Sequence, residues 1–343
     1  MKILLANRNR QALWGVVVLF SLFAAGCGGG PATQPQEPGL SGTVEIDGSS
    51  TVFPIAEAIA EEFQKKEPGV RVTVGVSGTG GGFKRFGVGE TDISNASRPI
   101  STSEMEQAAK NGVEYIELPI AFDGLSILVH PSNDFVTSLT VAELKKIWEP
   151  ESKVRHWSDI RSGWPAREIH LYGPGHDSGT FDYFTEAIVG KAKSSRSDFT
   201  ASEDDNVLVQ GISGDADALG YFGYAYYAEN QGKMKLIAVD AGQGPVLPSA
   251  QTISDGTYKP LSRPLLIYVS VKAAARPEVK TFIDFALEQA GALSTEVGFF
   301  PLTDSIYQLA RQRFEKKVAG TVFGGKDMQS GQDLAQLLQP ATN

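Results

Sequence analysis

Three times along this chain a short apolar run with strand character ends in a loop of Gly, Ser and Thr, and the loop opens into a helix. The loops are Asp47-Gly48-Ser49-Ser50-Thr51, Ser77-Gly78-Thr79-Gly80 and Asp177-Ser178-Gly179-Thr180. After the first, Val52, Ile55, Ala56, Ile59, Ala60 and Phe63 recur at the spacing of one helical face, with Pro54 in the first turn and Pro68-Gly69 beyond the end. Repeated strand, loop and helix predict an α/β fold with a mostly parallel sheet covered by helices. In such sheets ligands bind beyond the carboxyl ends of the strands, where these loops lie.

Two longer β-like stretches, 120–130 and 264–271, bracket a middle segment that has its own strand-loop-helix units. If both are crossovers, the 343 residues make two lobes joined at a hinge. Lobe I is then 43–125 with 263–343, and lobe II is 126–262. The last residues, from 323, are polar with weak periodicity and are expected to be loosely attached.

The N-terminus reads as an address. Lys2, Arg8 and Arg10 precede an uncharged, mostly apolar run at 11–25, too short for a comfortable membrane span. Phe23-Ala24-Ala25-Gly26-Cys27 follows and resembles the lipobox of bacterial lipoproteins, with Ala24 where Leu is usual. Residues 1–26 are thus expected to be a signal peptide and Cys27 the lipidated residue. Segment 28–42, rich in Gly, Pro, Gln, Ser and Thr, is expected to be a leash of roughly 20 Å reach. The folded part would sit just outside the cytoplasmic membrane, in the periplasm or on the extracellular face.

Several functions are excluded by what the chain lacks. Cys27 is its single cysteine and its four histidines have no paired spacing, so no metal or other cofactor is expected. The net charge of −9 argues against nucleic acid. Asp177-Ser178-Gly179 has no second copy, as aspartic-protease chemistry requires, and neither a G-x-S-x-G elbow nor a Walker loop is present. An enzyme is not expected.

The loops suit one chemistry well. Glycine lets the backbone come close, hydroxyls donate hydrogen bonds without bulk, and a helix N-terminus favours negative charge. Any one loop could be plain helix capping, but three in one chain, on both lobes, make a device for enclosing a small oxyanion. Arg98, in Ala96-Ser97-Arg98-Pro99, could add a planar fork for two anion oxygens.

The runs Gly48-Ser49-Ser50-Thr51-Val52-Phe53-Pro54, Ser77-Gly78-Thr79-Gly80-Gly81-Gly82-Phe83-Lys84-Arg85-Phe86, Asp92 through Pro99 and Asp177-Ser178-Gly179-Thr180-Phe181 resemble the periplasmic phosphate-binding protein of high-affinity phosphate ABC transporters. Gly220-Tyr221-Phe222-Gly223 is similar to that family's Gly-Tyr strand near the hinge. The resemblance implies a two-lobed venus-flytrap fold with two hinge crossovers, a monomer that closes on inorganic phosphate and delivers it to a permease. It implies Ser50, Thr51, Thr79, Gly80, Ser178, Gly179 and Thr180 as phosphate donors.

Two positions depart from the family pattern. Pro174 stands where many relatives have an Arg, and Arg98 where many have an acid, so Arg98 is expected to supply the guanidinium from the other lobe. The carboxylate that accepts the proton of HPO₄²⁻, and would be left unpaired against sulfate, then needs a replacement. Asp177, or Asp205 with Asn206, are the candidates. Without it, sulfate or molybdate is the alternative ligand; independently of it, phosphate sensing is the alternative role.

Overall fold

The first units form as their spacing predicts. In a computed structural model that describes residues 39–176, 178–326 and 333–339, β1 (Gly42–Gly48) leads to α1 (Phe53–Lys66). Next come β2 (Val70–Val74), α2 (Thr79–Phe86), β3 (Ile93–Ala96) and α3 (Thr102–Lys110). Helix α1 buries Ile55, Ala56, Ile59, Ala60 and Phe63, and the Phe63 ring meets Phe282 edge to face at 5.2 Å. Each large apolar side chain buried in this way stabilises the fold by about 1.5–3 kcal/mol.

The long stretches become β4 (Tyr115–Val129), buried throughout, and, much later in the chain, the 262–270 strand. Between them lie β5 (Ser138–Thr140), α4 (Val141–Trp148), β6 (His170–Pro174), α5 (Gly179–Phe184), β7 (Thr200–Ser202), α6 (Asp205–Gly214), β8 (Ala218–Gly223), β9 (Lys235–Asp240) and β10 (Pro245–Val246). The late strand is β11 (Ser262–Ser270).

One strand path, β2-β1-β3-β11-β4-β8-β6-β7, runs through both halves of the curled sheet. β1 is parallel to β2 and β3, and β6 is parallel to β7 and β8, but the centre is antiparallel. There β4 pairs with β11 from Tyr115 to Gly124, then with β8 from Leu125 to Val129. A single strand therefore belongs to two half-sheets and changes partner between Gly124 and Leu125. This is the two-lobed α/β architecture with crossover strands, and burial on both faces explains why 120–130 reads as a long, mostly apolar stretch.

The tail departs from expectation. Leu334 and Leu338 of the tail are buried, and at its root Val322 N–H donates to the buried Glu117 carboxylate at 2.8 Å, whose other oxygen accepts from Tyr268 Oη at 2.6 Å. Polar composition hid this attachment, because a few apolar contacts and one buried acceptor hold the segment.

The first loop's approach to β3 rests on one glycine. Gly48 has φ +141°, and a Cβ there would overlap the Asn95 carbonyl oxygen, while Ser49 N–H donates to that same oxygen at 3.0 Å. Gly48→Ala should lower the unfolding free energy by roughly 2–4 kcal/mol. Urea denaturation checks this; an unchanged midpoint at unchanged slope would mean the loop relaxes freely.

Candidate functional site

Plain capping accounts for only one of the three loops. The N-cap of α1 is Val52 and that of α2 is Gly78, and neither has a side-chain cap, so Ser50, Thr51 and Thr79 keep their hydroxyls for other partners. Ser178 does cap α5, accepting from Thr180 N–H at 3.1 Å. Among the described residues the Ser50 and Thr51 N–H groups have no backbone acceptor. Donors left open at a helix start are what an anion needs.

The first and third loops meet across the cleft. Ser50 Oγ donates to Asp182 Oδ2 and Thr51 Oγ1 to the Gly179 carbonyl, each at 3.3 Å. An added Cβ on Gly179 would stand 2.8 Å from Thr51 Cα and 2.9 Å from Thr51 N, so only glycine permits this approach. The second loop joins them by close backbone packing: a Cβ on Gly82 would lie 2.6 Å from Gly48 Cα. Ser77 N–H donates to the Gly48 carbonyl at 3.1 Å, and Ser77 Oγ to the buried Asp47 at 2.8 Å.

Thr79 lies beside the 96–99 loop: its Oγ1 accepts from Ser97 N–H at 3.2 Å and is 3.1 Å from Ser97 Oγ. Gly80 opens the space next to Arg98, whose Nη2 would be 3.9 Å from a Cβ there. The Arg98 guanidinium is bound as a two-pronged fork by Glu104, at 2.9 and 2.8 Å, and also donates to the Pro99 carbonyl at 3.0 Å. Glu104 is fixed in turn, because it closes the capping box of α3 with Ser101. The sequence pattern gave Arg98 an open fork; the structure gives that fork a carboxylate from its own lobe.

A second arginine, which the sequence patterns did not single out, reaches the site. Arg263 Nη2 donates to Thr51 Oγ1 at 3.0 Å, its Nε faces Asp123 Oδ2 at 3.4 Å, and its Cζ lies 3.4 Å from the centre of the Tyr183 ring. Its only sequence signal was a charge inside an otherwise apolar strand. A cavity of about 330 Å³ opens alongside, lined by Ser97, Arg98, Phe122, Tyr183 and Arg263 among others. The chain is acidic, but this cavity is lined by three cations, Arg98, Lys259 and Arg263, and one acid, Glu186.

The carboxylates divide. Asp177 and Cys27 lie outside the described residues. Asp205, in the first turn of α6, is pushed up to about 6 by burial and then by Asp204 and Glu203, and its charge in turn raises Tyr226; among the described residues it makes no hydrogen bond to the site loops. Asn206 is exposed and donates to Asp204. Asp182, not anticipated, lies at the loop contact: Oδ1 is buried without a hydrogen-bond partner, and burial raises the carboxyl above its ordinary range. Ser50, Lys193 and Arg263 work against that rise and Glu186 adds to it.

Among the described residues no cluster of three or more His, Cys, Asp or Glu could hold a metal, and no helix is long and apolar enough to cross a membrane.

Comparison with known proteins bears on this geometry. Residues 33–290 match the family model of the PBP superfamily domain. The chain is 54% identical over 291 residues to Protein SphX of Synechococcus elongatus, covering 84% of this chain and 86% of that one. It is 38% identical over 317 residues to the phosphate-binding protein PstS of Staphylococcus saprophyticus, covering 91% and 94%. A solved structure of a possible phosphate binding protein from Planctomyces limnophilus superposes with a TM-score of 0.79 at 50% identity, covering 81% and 99%. An ABC-type phosphate transport receptor from Vibrio cholerae gives 0.59 at 25% identity, covering 76% and 100%. The chain belongs to the PBP superfamily and, within it, to the phosphate-binding proteins of ABC transporters.

Proposed function

We propose that this protein captures inorganic phosphate between its two lobes, outside the cytoplasmic membrane, and passes it to the permease of an ABC importer. The observation that carries the reading is the meeting of the Ser50-Thr51 and Ser178-Gly179 loops across the cleft, with the α1 and α2 hydroxyls left free of capping. Ser50, Thr51, Thr79, Gly80, Ser178, Gly179 and Thr180 are the proposed donors, and Arg98 lines the cavity beside them. It works by binding and closure, without cofactor or catalysis, as a monomer. Its tether is a lipid on Cys27, following the resemblance of residues 23–27 to a lipobox.

Closure needs the anion. The two direct loop-to-loop hydrogen bonds are long, and each such bond contributes only about 0.5–1.5 kcal/mol. Open and closed forms then differ by a few kcal/mol, a gap that a ligand contacting both lobes can tip.

Phosphate at neutral pH keeps a proton that sulfate lacks, and Asp182, with one buried carboxylate oxygen without a partner, is suited to accept it. Sulfate in the same place would leave an acceptor facing an acceptor.

Calorimetric titration should show phosphate binding at micromolar or tighter affinity, and equal competition by sulfate would defeat the phosphate assignment. Asp182→Asn should narrow the preference for phosphate over sulfate by tenfold or more, while Asp205→Asn leaves it unchanged.

Asp205→Asn should act on stability instead. The folded carboxyl titrates near 6 against about 3.9 unfolded, so its ionisation disfavours the fold progressively as pH rises from about 4 to above 6. The Asn variant should gain roughly 1–3 kcal/mol at pH 8 and almost nothing at pH 4, read from urea unfolding at both values.

Gly179→Ala should weaken phosphate binding at least tenfold, because a Cβ there would stand 2.8 Å from Thr51 Cα where the two loops meet. A lowered melting temperature with intact affinity would instead assign this glycine to the fold.

A further inference from the structure

Arg263 sits where the two crossover strands pair, directly opposite Asp123 in the β11–β4 register. Residues opposite one another in an antiparallel pair share a face, so both side chains project to the same side of the sheet. Both are nearly inaccessible, at 12% and 5% side-chain exposure, yet their one contact is 3.4 Å, loose for an ion pair. Burying such a pair for stability alone is a poor bargain, since desolvation of both charges opposes the attraction. Its position on the cavity wall, rather than its strength, is what calls for an account.

Arg263 touches three segments around the cleft. It donates to Thr51 in the first anion loop, faces Asp123 on the crossover, and lies against Tyr183 in α5, next to Asp182. A guanidinium carries five N–H donors, and Asp123 and Thr51 take two of them. Arg98 contrasts at each point: both prongs are held by Glu104, the side chain is 34% exposed, and its partner is locked in a capping box.

We propose that Arg263, held by Asp123, supplies the guanidinium that pairs with the bound anion, and that through Thr51 and Tyr183 it links neutralisation of that anion to closure of the lobes. This rests on the phosphate-binding reading above and assigns its main charge. It places the cation on the hinge strand rather than on either lobe's loops, where Pro174 and the Glu104-bound Arg98 leave no open fork.

The test is phosphate titration of the full folded chain and of R263A, R263Q, R263K and R98A, with melting temperatures recorded with and without phosphate. R263A and R263Q should weaken binding by a hundredfold or more and lose the phosphate-induced rise in melting temperature. R263K, which keeps charge but not the fork, should fall between them and the parent chain, and R98A should weaken binding at least tenfold less than R263Q does. If R263A does not fold, the near-isosteric R263Q carries the test. Binding by R263Q within threefold of the parent, or a loss confined to R98A, overturns the proposal and leaves the phosphate reading standing. Failure of the parent chain itself to bind phosphate overturns that reading first.

Discussion

The antiparallel pairing of β4 with β11 is the constraint on which everything else rests. β4 is buried along its whole length because it is the last strand of one half-sheet and the first of the other. Strand pairing there sets how far each lobe stands from the other and therefore where the loops at the strand ends can meet. A one-residue slip would turn Asp123 and Arg263 away from the cleft and bring apolar neighbours into it. The hinge is thus also the element that places charge at the site.

Around that hinge the site uses small residues for approach and short hydroxyls for contact. Gly48, Gly82 and Gly179 each stand where a methyl group would overlap backbone of a neighbouring segment. The gain is that N–H groups and hydroxyls from segments far apart in sequence come within a few ångströms of one another. Because α1 and α2 are not capped by these hydroxyls, their donors remain available at positively polarised helix ends. Binding strength can then come from many modest hydrogen bonds in a water-poor space, with only one or two full charges needed.

Electrostatics separates residues that sequence patterns treat alike. Arg98 and Arg263 are both arginines near the cleft, but one answers to Glu104 within its own lobe and the other to a carboxylate on the facing crossover strand. Asp205 and Asp182 are both acids in the first turn of a helix after a polar loop. Asp205 is raised by burial beside Asp204 and Glu203; Asp182 faces Ser50 across the loop contact. In each pair the neighbours, not the residue type, decide which can serve an anion.

Local order was legible in the amino-acid sequence: the strand-loop-helix units, the face of α1, the crossover strands and the hydroxyl-rich loops all follow from spacing and turn chemistry over a few residues. The resemblance carried by those same runs already pointed to an oxyanion and to the family. What sequence spacing could not give was pairing between segments far apart. Arg263 lies 212 residues from Thr51 and 140 from Asp123, and Ser50 lies 132 from Asp182. Nothing in a window of neighbours marks such partners, since an arginine in an apolar strand reads the same whether it faces solvent, a carboxylate or a ligand. Their meeting is set by sheet register and lobe closure, which exist only once the chain has folded back on itself.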